Sequence, residues 1–143
     1  QIRLYGFNVN FQKKIFNHID INSVYSYTDA NSEHPQLEEG ISNHTFNLRI
    51  KYKISNRTNI LWTTKYNSEK DIFLYDVKES KKLDAYSISN IVLNFKYKKT
   101  SMKVGFKNIF NYLDPGRLSS DSNEFLTTVN PERRLYFSVM LSI

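Results

Sequence analysis

Apolar and polar residues alternate with a period of two over most of the chain, the pattern of strands with one apolar face. Thr45 to Ile54 is the clearest stretch. Phe46, Leu48, Ile50, Tyr52 and Ile54 fall on one side, and Thr45, Asn47, Arg49, Lys51 and Lys53 on the other. Tyr86 to Lys98 sets Ile91, Leu93, Phe95 and Tyr97 against Asn90, Val92, Asn94 and Lys96. Arg134 to Ile143 sets Leu135, Phe137, Val139, Leu141 and Ile143 against Arg134, Tyr136, Ser138, Met140 and Ser142. Noisier alternation runs through Gln1 to Gln12, His18 to Asp29, Asn59 to Ser68 and Ser101 to Phe110. No stretch carries a sustained helical stripe. The pattern predicts an all-β chain of about seven antiparallel strands, most of them roughly ten residues long.

Strand length and loop length narrow the fold class. Strands of soluble proteins have a mode of ~5–6 residues, whereas strands crossing a bilayer at a tilt need ~9–11. The connections alternate. Lys13–Asn17, Ser55–Thr58 and Lys99–Ser101 are tight; Ala30–His44, Glu69–Ala85 and Asn111–Arg133 are long and polar. Outer-membrane barrels sort their connections in this way, with short periplasmic turns and long extracellular loops. Tyr52, Trp62 and Tyr97 are expected beside the short turns, and Tyr27, Phe46 and Tyr66 beside the long loops, as two aromatic girdles. The predicted fold is an antiparallel transmembrane β-barrel segment. A soluble one-faced β-sheet binding module shows the same alternation and is the alternative.

The strand count adds an expectation. Seven is odd, and bacterial single-chain barrels have even numbers of strands. An open sheet would leave unpaired backbone edges in lipid, at several kcal/mol per group. The chain is therefore expected to be part of a larger barrel rather than a complete one.

Composition agrees. The chain has 143 residues, with 20 Lys+Arg, 14 Asp+Glu and a formal charge of +6. Its mean hydropathy of −0.53 excludes membrane helices, yet suits a barrel whose inner face and loops are polar. The absence of Cys excludes a disulfide scaffold.

Candidate chemistry is sparse. His18, His34 and His44 do not form a set with the three or four ligands that a metal needs, so neither metal nor cofactor is expected. No nucleophile, phosphate loop or paired-carboxylate motif is legible, and an enzyme is not expected. Strand lysines lie on the face opposite the aromatics, whereas a single-strand nucleic-acid binder needs both on one surface, so nucleic acid is not an expected partner. Asn47, Arg49, Lys51, Asn90, Asn94, Lys96, Arg134 and Tyr136 are expected to face the barrel lumen. Glu33, His34, Tyr75, Lys78, Lys81, Lys82, Arg117 and Arg133 are candidate ligand contacts by their loop positions, and the basic ones equally suit anionic lipopolysaccharide.

Three segments together carry a family likeness. Tyr86-Ser87-Ile88-Ser89-Asn90-Ile91-Val92-Leu93-Asn94-Phe95-Lys96-Tyr97 is followed by Val104-Gly105-Phe106-Lys107-Asn108-Ile109-Phe110-Asn111. Pro131-Glu132-Arg133-Arg134-Leu135-Tyr136-Phe137 then opens the last strand. This resembles the C-terminal end of TonB-dependent outer-membrane receptors, whose penultimate strand ends in a V-x-N-L-F-D/N type box. Tyr5-Gly6-Phe7-Asn8 and Val24-Tyr25-Ser26-Tyr27-Thr28-Asp29 look like a hairpin common in these barrels. The chain ends in Ile143 where such barrels usually end in an aromatic.

The resemblance implies that residues 1–143 are the C-terminal part of a receptor barrel of about 22 strands, with the plug domain and earlier strands absent from this chain. It implies the cell outer membrane, and import of a scarce nutrient (siderophore, haem, cobalamin, glycan or peptide). The implied partners are the remaining strands and plug of the same receptor, TonB through that plug, lipid and lipopolysaccharide, and a surface lipoprotein. A porin-like or structural outer-membrane barrel would share the strands without the plug.

Overall fold

The computed structural model describes residues 2–32, 41–74, 79–113 and 132–141. Nine strands follow one another: β1 (Ile2–Ile15), β2 (Ile19–Ser32), β3 (His44–Lys53), β4 (Thr58–Asn67), β5 (Lys70–Leu74), β6 (Glu79–Leu83), β7 (Tyr86–Tyr97), β8 (Thr100–Lys107) and β9 (Arg134–Leu141). Seven form one antiparallel sheet in the order β1-β2-β3-β4-β7-β8-β9, and β5 pairs with β6 apart from it. No helix occurs among the described residues.

All seven predicted strands are present, with shifted ends. β1 and β2 run 14 residues each, so their turn shrinks to Phe16–His18. Phe16 and Asn17 take positive φ there, and the His18 amide donates to the Ile15 carbonyl at 3.1 Å. The β5–β6 hairpin was not predicted. It lies within Glu69–Ala85, where charged residues break the alternation that marks a half-buried strand. Most of Ala30–His44 and Asn111–Arg133 lies outside the described residues.

The register carries the alternation across strand boundaries. Ile21 faces Ile50, Ile50 faces Trp62, and Trp62 faces Ile91. Ile91 faces Phe106, which faces Leu135. A slip of one residue would send a strand's apolar set to the polar side; none occurs. Trp62 is a correction to the expected girdle. It is the fifth residue of β4, between Ile50 and Ile91, so it stands mid-strand rather than beside the short turn.

Large apolar side chains are exposed along every strand of the seven-stranded sheet except β2, although on β3 Leu48 and Ile50 are half-buried and Asn47, Arg49 and Lys51 exposed. On β7 the apolar Ile91, Leu93 and Phe95 are exposed, Leu93 by 43%, while Ile88, Asn90, Val92 and Asn94 on the other face are half-buried. Two grooves are lined mainly by residues of the polar face. Ser89, exposed by 1%, is the largest fully buried side chain among the described residues. A hydrophobic core would hold its largest apolar side chains there. Among the described residues, the extensive strand contacts all join neighbours within a sheet.

Candidate functional site

The polar face is built from ladders of directly opposed residues. Gln12, Asn22, Arg49, Thr63 and Asn90 oppose one another in turn across β1, β2, β3, β4 and β7. One step toward the short turns come Lys14, Asp20, Lys51, Leu61, Val92, Gly105 and Tyr136. The next row carries Lys53, Asn59, Asn94, Lys103 and Ser138. Asn47, Arg49, Lys51, Asn90, Asn94, Lys96, Arg134 and Tyr136 thus share one face of the sheet.

Hydrogen bonds order part of this face. The Asn94 amide donates to Asn59 Oδ1 at 3.0 Å, and the Asn90 amide to Thr63 Oγ1 at 3.3 Å. A groove of about 540 Å³ runs along Gln12, Lys14, Asp20, Asn22, Arg49 and Lys51. A second, of about 350 Å³, is lined by Asn22, Asn47, Arg49, Thr63, Lys65 and Asn90. Such a surface can hold water and meet hydrogen-bonding groups and anions. Among the described residues no metal-ligating cluster is present.

Beside it, the Asn108-Ile109-Phe110-Asn111 box forms a built turn. Asn108 has a φ of 50° and lies 3% exposed. The pairing of Ile91 with Phe106 would bring Ser89 opposite Asn108, yet it is the Ile109 amide that donates to the Ser89 carbonyl, at 2.9 Å. That offset is a β-bulge, which needs a residue tolerant of left-handed backbone. Asparagine tolerates it and supplies caps. The Asn108 amide group donates to the Tyr112 carbonyl, Asn108 Oδ1 accepts from the Tyr112 amide, both at 2.9 Å, and the Asn108 backbone amide donates to Asn90 Oδ1 at 3.0 Å. Asn111, also at positive φ, accepts the Arg133 amide at 2.8 Å, so the box ties β8 to the start of β9. The Tyr112 ring stacks on Tyr86 at 4.8 Å.

The apolar face carries aromatics near the long-loop end. Phe7 contacts Tyr25 and Tyr27, whose rings pack against His44, and Tyr25 Oη lies 2.7 Å from His44 Nδ1. His44 is thus a ring partner in an aromatic cluster.

The predicted loop contacts are not brought together. Glu33, His34, Tyr75, Lys78 and Arg117 lie outside the described residues, and Lys81 lies on β6. Lys82 bonds Glu69 at 2.7 Å. That carboxylate raises the lysine above its ordinary range. Arg133 enters through its backbone amide. Sequence reasoning missed the bulge role of Asn108, although its box was the signal used for the resemblance.

No family model matches the chain, and no curated protein matches it. Solved structures do. The siderophore receptor PiuA from Acinetobacter baumannii superposes with a TM-score of 0.60 over 79% of this chain, at 14% identity. The ferripyoverdine receptor of the outer membrane of Pseudomonas aeruginosa gives 0.60 over 79%, at 10% identity. The chain spans 18% and 16% of those two proteins. At such identity the likeness establishes fold: a seven-stranded antiparallel sheet that matches barrel-wall segments of outer-membrane receptors.

Proposed function

We propose that this chain is a stretch of barrel wall from a TonB-dependent outer-membrane transporter, and that residues 1–143 are its C-terminal part. The observation that carries the reading is the exposed apolar face, on which Phe7, Phe46, Trp62, Ile91, Phe106 and Leu135 all stand open. Apolar surface this continuous is tolerated where lipid covers it. The likeness to two siderophore receptors supports a receptor over a porin, and favours a metal chelate among the nutrients. Asn47, Arg49, Lys51, Asn90, Asn94, Lys96, Arg134 and Tyr136 would then line the lumen, facing water, substrate and the plug. The loops after β2, β4 and β8 would lie at the cell surface, where Lys82 and Arg133 belong to the entry side.

The chain has no Cys, so single cysteines report cleanly within these strands. A fluorophore at Leu93→Cys or Ile91→Cys, in the membrane-embedded protein that carries these strands, should be quenched by brominated acyl chains. One at Asn94→Cys or Asn90→Cys should not. Equal quenching on both faces, or a monodisperse folded chain in detergent-free buffer, overturns the reading. Deleting the gene should abolish TonB-dependent uptake of one scarce nutrient; unchanged uptake of every nutrient tested would leave a structural barrel.

A further inference from the structure

Charge is unevenly placed between the two ends of the sheet. Residues 12–24, 47–64 and 91–107, which surround the short turns, carry Asp20 as their one carboxylate. The same stretches hold Lys13, Lys14, Lys53, Arg57, Lys98 and Lys99 among their cations. The other acidic residues belong to the long-loop end and the loops themselves.

Two of the cations are held together. The Arg57 carbonyl accepts the Lys96 amide at 2.8 Å, which fastens the β3–β4 turn beside β7. Ser55 Oγ accepts the amides of Arg57 and Thr58 at 3.1 Å and fixes that turn. Lys98 begins the next turn with a φ of 50°. The Arg57 guanidinium and the Lys98 ammonium consequently stand 5.4 and 5.5 Å from the centroid of one ring, Tyr97. Tyr97 lies on the apolar face, at its edge. Among the described residues no carboxylate lies within ion-pair distance of either cation. Both cations are thus open to a mobile anion.

We propose that Arg57, Tyr97 and Lys98 form a site for the phosphate of an anionic membrane phospholipid, in the leaflet at the short-turn end. The inference rests on the membrane reading above. The ring sits at headgroup depth, where aromatic side chains concentrate. Each cation beside the ring can offer the phosphate a charge-assisted hydrogen bond, and the acyl chains run along Phe95 and Leu93 on the apolar face. A cation near an anionic leaflet contributes roughly a fivefold preference, and the acid-poor rim leaves that preference uncancelled.

The test is native mass spectrometry of the intact protein in neutral detergent, offered phosphatidylglycerol and phosphatidylcholine in equal amounts. The wild type should retain phosphatidylglycerol preferentially. Arg57→Gln with Lys98→Gln should lower that retention roughly twenty-five-fold. Arg3→Gln, at the opposite end of the sheet, should leave it unchanged. Heat-modifiable migration on gels reports folding separately: a variant that stays heat-modifiable but keeps the preference overturns the site. Equal retention of the two lipids by the folded wild type overturns it too, as does release of the lipid by inorganic phosphate alone, which would mark a free-anion site. A protein that never needs detergent overturns the membrane reading instead. Should the double variant lose heat-modifiability, Lys98→Gln alone is measured in its place, and an unchanged lipid preference again overturns the site.

Discussion

Tyr136 covers Gly105. The two face each other directly between β8 and β9 on the polar side of the sheet. A Cβ at position 105 would stand 2.8 Å from Tyr136 Cε1 and 2.7 Å from the Ile91 carbonyl oxygen. The glycine lets the ring lie flat against the backbone, and the ring restores the packing that a glycine in a strand forfeits. Lys107 Nζ stands 5.4 Å from the centre of the same ring.

Gly105→Ala is therefore expected to destabilise the sheet by about 1–3 kcal/mol, the range for overpacking. Adding Tyr136→Ala should not restore stability, because the Ile91 oxygen is backbone and stays in place. Denaturant titration of the detergent-solubilised protein checks this; full recovery in the double variant would locate the clash in the ring alone.

At the bulge, Asn108→Gly keeps the left-handed backbone and loses the side-chain bonds to Tyr112. Asn108→Ala loses both. Alanine should be the worse by about 1 kcal/mol, the left-handed penalty of a side chain with a Cβ. Equal losses in the same titration would show that the backbone angle contributes nothing.

On the apolar face, Thr64 Oγ1 and Ser89 Oγ lie 2.8 Å apart. Ser89→Ala strands one hydroxyl away from water, and so does Thr64→Val. The double variant strands none. A double-mutant cycle is expected to give a coupling of about 0.5–1.5 kcal/mol; additive losses would contradict the bond.

The two faces should answer differently to charge. Leu93→Arg is expected to cost about 2–4 kcal/mol near the bilayer midplane, and Asn94→Arg far less. Comparable losses measured by reversible unfolding would contradict the orientation of β7.

The Glu69 carboxylate holds Lys82 above its ordinary range. The stabilisation is complete below that range and fades as pH rises through the raised value. Both groups are well exposed, so the pair is expected to contribute little. Lys82→Met should leave the unfolding midpoint unchanged at neutral pH; a marked shift would assign the pair a structural role.

The strands were legible because a period of two with one apolar face leaves few alternatives. Leu48, Leu93 and Phe137 alone place three of them. Register followed from the same alternation. The β5–β6 hairpin was not legible: in Lys70-Asp71-Ile72-Phe73-Leu74 no face is set apart. The polar face was legible as a set of positions, since parity fixes Asn47 with Arg49 and Asn90 with Asn94. The pairing of Arg57 with Lys98 on Tyr97 was not, because 40 positions separate Arg57 from Tyr97 in the chain and a hydrogen bond between turns brings them together.

The β5–β6 hairpin also bears on how the sheet can assemble. Every other junction whose residues are fully described joins adjacent strands through a few residues, so the chain can zip up one hairpin at a time. Between β4 and β7 the partners Asn67 and Tyr86 must meet across residues 68–85. Closing a long flexible loop costs entropy that grows with its length. Pairing of Lys70 with Leu83 and of Asp71 with Lys82 holds the ends of that segment together. With the hairpin paired, the loop that Asn67 and Tyr86 must close is effectively shortened to its few flanking residues, which lowers that entropic cost.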